Sequence, residues 1–218
     1  NDLLTSEEIK KKENFVFETD RLMFSASRAL LKSILSSHLS LPPADISFSY
    51  NEYGKPCISP EQNPDNIQFN LSHSGDIILY AVSLERNVGI DVEIIKEIDS
   101  IDDLIQNYFS HDEIEQFNTL PSFLKQKAFF ATWARKEAYI KALGKGLSYP
   151  LNRFTVTVDP EKEAELLHDE NNDSVLWTIK DIKVPEGYAA AVAVEGKDLT
   201  FNYCQWNFKP ETQSAKTE

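Results

Sequence analysis

Two carboxylates, Asp91 and Glu93, stand two residues apart in an apolar stretch that predicts a β-strand. Residues i and i+2 of a strand share one face, so both carboxylates point the same way. Ile90, Val92 and Ile94 then point to the opposite face. For this pair alone two interpretations stay open. The acids either form the solvent-facing side of an edge strand or offer oxygen ligands to a cation.

A third acid and a lysine lie on a long predicted helix. Trp133, Glu137 and Lys141 follow each other at intervals of four residues and therefore share one stripe of that helix. Most of its remaining circumference is apolar, which predicts a largely buried helix. An ordinary Glu–Lys surface pair is one interpretation. Charged groups on a buried helix need partners, which favours a functional site.

Together these side chains indicate a particular chemistry. Three carboxylates that converge repel one another unless a cation is present, and hard oxygen ligands suit Mg²⁺ or Mn²⁺. A lysine one turn beyond the third acid can stabilise charge that develops on a phosphate. Asp91, Glu93, Glu137 and Lys141 therefore point to metal-assisted phosphoryl chemistry.

The hydrophobic periodicity predicts the elements that must position these residues. Helices are predicted at residues 19–39, 100–118 in one or two pieces with a capping box from Ser110 to Glu113, and 122–143, between Pro121 and Gly144. Strands are predicted at residues 46–50, 67–71, 77–84, 88–95, 153–158, 175–180, 188–194 and 200–206. Residues 85–87 predict a hairpin between the two strands that flank them.

This order of elements predicts an α+β fold of two similar, pseudo-symmetric halves. Each half would hold a small antiparallel sheet packed against a long helix, with the active site between the halves. We expect an N-terminal half at residues 1–97, a C-terminal half at residues 98–208 and a disordered tail at residues 209–218.

Composition excludes several classes of function. The formal net charge is −13, which argues against a nucleic-acid partner. No apolar run approaches the roughly 20 residues of a membrane-spanning helix, and residues 1–12 lack a signal-peptide core. Cys57 and Cys204 lie far apart without metal-ligand spacing, as in a protein of a reducing compartment. We therefore expect a cytoplasmic protein with no membrane partner.

Four segments carry a family resemblance. GIDVE at residues 89–93 and WARKEAYIK at 133–141 resemble the signature pair G-[IV]-D-[IV]-E and W-x-x-K-E-[AS]-x-x-K of the 4′-phosphopantetheinyl transferase superfamily. EYGKP at 52–56 and FNLSHS at 69–74 resemble segments of its surfactin-synthetase-activating (Sfp-like) type. The resemblance implies transfer of the phosphopantetheine arm of coenzyme A to a serine of an apo acyl or peptidyl carrier protein, with release of 3′,5′-ADP.

The resemblance also implies a role for each acid. Asp91, Glu93 and Glu137 would hold Mg²⁺, or Mn²⁺, against the coenzyme A pyrophosphate. Glu137 would take the serine proton, since a serine hydroxyl is a weak nucleophile that needs a base. Lys141 would stabilise the pyrophosphate as the bond to the leaving group breaks. Glu137 and Lys141 are thus the expected catalytic residues.

The coenzyme A-binding residues implied by the resemblance are Arg21, Lys55, Ser72, His73, Lys136 and Lys141. Lys55, Ser72 and His73 match positions that bind the 3′-phosphate, and Arg21 matches an arginine at the start of the first long helix. Lys136 would contact phosphate or only flank the site. From the residues alone, a capping or turn histidine at a strand end is the favoured interpretation of His73.

The carrier proteins of this family are usually acidic, as this chain is, so we expect a small, mainly apolar docking surface with local basic contacts. Its predicted members are Ile101, Leu104, Tyr108, Phe109, Lys125, Lys127 and Arg135. Two halves within one chain also favour a monomer.

Two alternatives of other classes remain. A metal-dependent nuclease also combines spaced acids with a lysine, but the net charge and the E-x-x-x-K spacing argue against it. A non-catalytic module that binds coenzyme A or a carrier protein would be expected to lack one of the acids or Lys141, and all of them are present.

Overall fold

The computed structural model describes residues 3–170 and 176–205. These residues form five α-helices, of which α2 and α5 are each 22 residues long. The helices are α1 (Ser6–Glu13), α2 (Glu18–Leu39), α3 (Ile101–Tyr108), α4 (His111–Thr119) and α5 (Ser122–Leu143). The predicted helices at 19–39, 100–118 and 122–143 are confirmed, as is the capping box of Ser110 and Glu113 at the start of α4.

The strands of the described residues form small antiparallel sheets, so the predicted α+β class is confirmed. They are β1 (Phe48–Tyr50), β2 (Pro56–Ile58), β3 (Ile67–Ser74), β4 (Ile77–Leu84), β5 (Val88–Ile94), β6 (Phe154–Val156), β7 (Leu166–Asp169), β8 (Trp177–Asp181) and β9 (Tyr188–Glu195). Three sheets are pairs of strands, namely β1–β2, β3–β4 and β6–β7. The fourth sheet has three strands in the order β5, β9, β8.

The first half is built on α2 and the β3–β4 pair. Leu31 and Leu35 of α2 are fully buried and pack with Ile67 and Phe69 of β3. Helix α1 was not predicted. Its signal was present, because Thr5 and Glu8 form a capping box, a pattern that marks a helix start.

The second half is built on α5, which packs against β5 and β9. Ala134, Ala138 and Ala142 recur at intervals of four residues and are fully or almost fully buried. Small side chains let the helix approach the sheet closely. Gly144 ends the helix in the left-handed conformation, with φ of 69°, which a glycine adopts at little cost.

The predicted hairpin between β4 and β5 is wrong. Strand β4 pairs with β3, whereas β5 pairs along its whole length with β9, about 100 residues further on. Asp91 lies opposite Ala191 in that register. The strand that carries Asp91 and Glu93 therefore belongs by its hydrogen bonds to the sheet of the second half.

The other edge of β5 is closed by side chains rather than by a strand. Three residues on one face of β3 accept hydrogen bonds from alternate backbone amides of β5. The amides of Ile90 and Val92 would otherwise be buried without a partner. The pairs are Ile90 N to Asn70 Oδ1 at 2.9 Å, Val92 N to Ser72 Oγ at 3.4 Å and Ile94 N to Ser74 Oγ at 3.0 Å. The two halves thus meet along β5.

Other differences are local. The acidic connection after residue 160 contains β7, which was not predicted, and residues 200–205 do not form the predicted strand. Residue 175, residue 206 and the predicted tail at 209–218 lie outside the described residues. The limits 1–97 and 98–208 stay a prediction. Within the described part of the chain, no helix combines the length and apolar character needed to cross a membrane.

Candidate active site

Strand β5 and helix α5 bring Asp91 and Lys141 into contact, although 50 residues separate them in the chain. Lys141 Nζ lies 2.5 Å from Asp91 Oδ1. Ser72 Oγ, from β3, donates a hydrogen bond to the same oxygen at 2.9 Å and accepts one from Lys141 Nζ at 3.1 Å. The site therefore forms where the two halves meet.

Asp91 is buried, with 4% of its side chain exposed. Burial raises the pKa of its carboxyl group, while Lys141 and Ser72 act in the opposite direction. Its second oxygen, Oδ2, is buried and has no hydrogen-bond partner. The interpretation of this acid as the solvent face of an edge strand is therefore wrong.

Glu93, two residues on, is half-buried beside the same site. Burial raises the pKa of Glu93, and the negative charge of Asp91 raises it further. Lys141, Lys96 and a hydrogen bond from Trp133 lower it. The two strand acids therefore interact electrostatically, as their shared face predicts.

Glu137 stands one helical turn before Lys141. The pKa of Glu137 is raised from 4.5 to about 7, mainly by burial and also by the charges of Asp91 and Glu93, while Lys141 opposes the rise. Because the charges of Asp91 and Glu93 both act on the Glu137 carboxyl group, Glu137 lies close to the two strand acids. A carboxyl group with a pKa near neutrality is suited to accept a proton at physiological pH.

The donor set fits a hard divalent cation. It consists of three carboxyl groups, in which the charge of Asp91 raises the pKa of Glu93 and both strand acids raise that of Glu137. Asp91 Oδ2 is also a buried acceptor without a donor. Yet in the described part of the chain no three acidic, histidine or cysteine side chains surround a common point at metal-binding distances. Instead, the Lys141 ammonium group occupies one face of Asp91.

Lys136 is not brought to this site. It precedes Glu137 by one residue, a step of about 100° around a helix, and so faces away. Its ammonium group is buried and donates to both carboxylate oxygens of Glu113, at 2.7 and 2.6 Å, and to Phe154 O at 2.8 Å. Lys136 is therefore a core residue that joins α5 to α4 and β6, and its predicted contact with coenzyme A is not supported by its position.

Lys55 also has a different environment from the one predicted. Its ammonium group donates to Val88 O at 3.1 Å and to Ala142 O at 3.2 Å, and burial lowers its pKa to about 8. Asn51 donates to Gly144 O at 2.7 Å. The loop between β1 and β2, residues 51–55, thus holds the C-terminal end of α5 against the start of β5.

A second feature of the first half is a cleft of about 160 Å³ between α2 and the end of β3. His73 is exposed and lines it, whereas Arg21 donates from Nε to Phe15 O at 2.9 Å. Arg28 also lines the cleft, and its Nη1 is buried without a hydrogen-bond partner. Arg28 was not predicted as a binding residue. Its signal was its position, because a basic residue on the buried stripe of a helix is unusual.

The predicted docking surface needs correction. Phe109 is 2% exposed and packs in the core, and Arg135 is fully buried. Arg135 donates to Asp181 Oδ1 at 2.8 Å and to Thr157 O at 2.6 Å. Neither residue can meet a partner on the surface. Tyr108, which is 39% exposed, and the exposed Lys127 remain candidates.

Comparison with known proteins assigns the class. The family model described as the 4′-phosphopantetheinyl transferase superfamily matches residues 87–193, and one described as the N-terminal part of a 4′-phosphopantetheinyl transferase matches residues 1–85. The chain belongs to the 4′-phosphopantetheinyl transferase superfamily. This assignment removes the support for a nuclease or a non-catalytic binding module.

The relatives are transferases of the predicted type. The chain is 34% identical over 193 residues to 4′-phosphopantetheinyl transferase HetI of Nostoc sp., covering 88% of this chain and 79% of that one. It is 38% identical over 167 residues to psf-1 of Bacillus pumilus, covering 74% and 69%. It is 30% identical over 198 residues to Sfp of Bacillus subtilis, covering 90% and 84%.

Among solved structures, a holo-(acyl-carrier-protein) synthase from Bacillus anthracis in complex with CoA (3′,5′-ADP) matches with a TM-score of 0.43 at 20% identity. The match covers 50% of this chain and 94% of that one.

Proposed function

We propose that Asp91, Glu93, Glu137 and Lys141 carry out a magnesium-dependent transfer of the phosphopantetheine arm of coenzyme A to a serine of an apo carrier protein. The observation that carries this proposal is the convergence of two separate segments of the chain, β5 and α5, on Asp91 and Lys141. Asp91, Glu93 and Glu137 would hold the metal. When bound, Mg²⁺ neutralises charge on the pyrophosphate and orients it.

Proton transfer is assigned to Glu137. The serine oxygen forms a bond to the pyrophosphate phosphorus that carries the pantetheine arm, and the bond from that phosphorus to the bridging oxygen breaks. The serine proton passes to the Glu137 carboxylate, directly or through water, and 3′,5′-ADP leaves with the bridging oxygen. The elevated pKa of Glu137 supports this assignment.

The other residues bind and orient. The Lys141 ammonium group stabilises charge on the pyrophosphate. Ser72 holds Asp91 Oδ1 and a backbone amide of β5 at the same time, so it fixes the position of this acid. The cleft between α2 and His73 is the candidate place for the nucleotide end of coenzyme A, because two basic side chains, Arg28 and His73, line it.

We further infer a monomer that acts in the cytoplasm on acyl or peptidyl carrier proteins. Ser72, Asp91 and Lys141 meet within a single chain, so no second copy is needed to complete this contact. Both cysteines are free, as expected for a reducing compartment.

The pH dependence of transfer tests the assignment of Glu137. Below its pKa of about 7, Glu137 carries a proton and can neither ligate a cation nor accept the serine proton. At limiting Mg²⁺, we expect kcat/KM to rise about tenfold per pH unit up to this pKa and then level off. Because the cation competes with the proton, more Mg²⁺ should move the rising limb to lower pH. If the pH at which kcat/KM rises did not change with Mg²⁺ concentration, Glu137 would not be both the metal ligand and the base.

A further inference from the structure

Lys141 contacts one acid of the site directly and acts on the other two at longer range. Its ammonium group contacts Asp91 Oδ1 at 2.5 Å and Ser72 Oγ at 3.1 Å. It also acts on the two other acids, since its charge lowers the pKa of both Glu93 and Glu137. All three carboxyl groups of the site therefore interact with this one positive charge.

This arrangement has an electrostatic reason. Three carboxyl groups in a partly buried site repel one another, and each has a raised pKa as a result of burial and, for Glu93 and Glu137, of its acidic neighbours. A nearby cation offsets that repulsion. Without a metal ion, the Lys141 ammonium group is the cation that the chain itself supplies.

The same contact conflicts with metal binding. A carboxylate oxygen that accepts an ammonium hydrogen bond at 2.5 Å and a hydroxyl hydrogen bond at 2.9 Å has little capacity left for a metal ion. Asp91 Oδ2 remains available for a metal ion. Among the described residues, however, no three acidic, histidine or cysteine side chains lie at metal-binding distances from one point.

We propose that Lys141 is the resident counter-cation of this acid cluster and competes with Mg²⁺ for Asp91, so that it must leave Asp91 before the metal is fully bound. The inference rests on the proposed function, because it assumes a metal at these acids. Lys141 can move while α5 stays in place, since its charge is carried on a flexible four-carbon chain and 28% of its side chain is exposed.

The exchange would link the two roles of Lys141. While it neutralises Asp91, its ammonium group cannot fully engage a phosphate. With Mg²⁺ held by the acids, the partly exposed Lys141 ammonium group would be free to contact the pyrophosphate. The order in which the site fills thus follows from a competition between two cations for one carboxylate.

The test measures Mg²⁺ binding alone, by isothermal titration calorimetry without coenzyme A or carrier protein. We expect Lys141→Met to bind Mg²⁺ about tenfold more tightly than the wild type, because a directly contacting competitor is removed. Lys145→Met is the matched control. It makes the same change of charge four residues further on, beyond the end of α5, where the ammonium group lies over the Tyr149 ring, and should change the affinity by less than about twofold.

A second variant separates charge from side-chain length and guards against misfolding. Lys141→Arg keeps the positive charge and should keep the weak affinity of the wild type. If Lys141→Met is unfolded without metal, far-ultraviolet circular dichroism should show that Mg²⁺ restores its fold, with a larger metal-induced rise in Tm than for the wild type.

Equal or weaker binding of Mg²⁺ by Lys141→Met would overturn the competition. So would an equally large gain in Lys145→Met, which would indicate a general effect of net charge. The titration contains no substrate, so its result is distinguishable from a failure of the transferase function. An active transferase can fail this test, and a protein with no transferase activity can pass it.

Discussion

A Glu137→Gln variant is expected to transfer phosphopantetheine at about one-thousandth of the wild-type rate or less while it keeps its fold. Two losses combine, since glutamine cannot accept the serine proton and is a poorer ligand for Mg²⁺. The fold should persist, because burial and the neighbouring acids already disfavour the charged form of Glu137. The rate is measured by mass spectrometry of the carrier protein.

The stability of this variant provides an independent check. The pKa of Glu137 is raised from 4.5 to about 7, so the folded wild type binds a proton more tightly than the unfolded chain. The contribution of Glu137 to stability is therefore lost as pH rises through this window, and the decrease should be smaller in Glu137→Gln, where Asp91 and Glu93 still contribute. Glu115→Gln, at an exposed position of α4, is the matched control and should retain full activity. A Glu137→Gln variant that is folded and fully active would exclude Glu137 as the base.

Gly89→Ala is expected to destabilise the protein by more than about 3 kcal/mol, or to prevent folding. A Cβ atom at position 89 would lie 2.1 Å from Ala138 O and 2.3 Å from Ala142 N, both in the backbone of α5. Backbone atoms cannot rotate away as a side chain can. To relieve the clash, α5 must move away from β5, which would also separate Lys141 from Asp91. Urea denaturation followed by circular dichroism measures the change.

Gly146→Ala distinguishes this steric clash from a general cost of losing a glycine. Position 146 has φ of 53°, and a methyl group there would meet no other atom within 4 Å. The cost of alanine at this position is therefore mainly that of the left-handed conformation, about 1–2 kcal/mol. If Gly89→Ala were no more destabilising than Gly146→Ala, the close contact between β5 and α5 would not be the reason for a glycine in the first signature segment.

Local patterns were sufficient to predict much of the site. The alternation in β5 placed Asp91 and Glu93 on one face, and the spacing of four residues placed Glu137 and Lys141 on one stripe of α5. Both predictions depend only on the geometry of one element. The convergence of β5 and α5 on one site depends on how two elements pack, and the family resemblance, rather than the spacing, indicated it. The direct contact of Lys141 with Asp91 was not predicted.

The wrong predictions concern features that depend on contacts between residues far apart in the chain. Three connecting residues favoured pairing of β4 with β5, but the alanine-rich β9, which has a weak strand signal, takes that place. Lys136 adjoins Glu137 in sequence, yet the helical turn directs it to Glu113 on the opposite side. The phosphate contact of Ser72 stays a prediction. The position of Ser72 beside Asp91 was not predicted, because it depends on the placement of β3 along the edge of β5.

Metal-dependent transfer is tested most directly by the mass of an apo carrier protein after incubation with this protein, coenzyme A and Mg²⁺. We expect a gain of about 340 Da on the carrier serine, which is lost when the metal is removed with a chelator and regained when Mg²⁺ is restored. An unchanged mass for several acyl and peptidyl carrier proteins, with the enzyme shown to be folded, would contradict the proposed function.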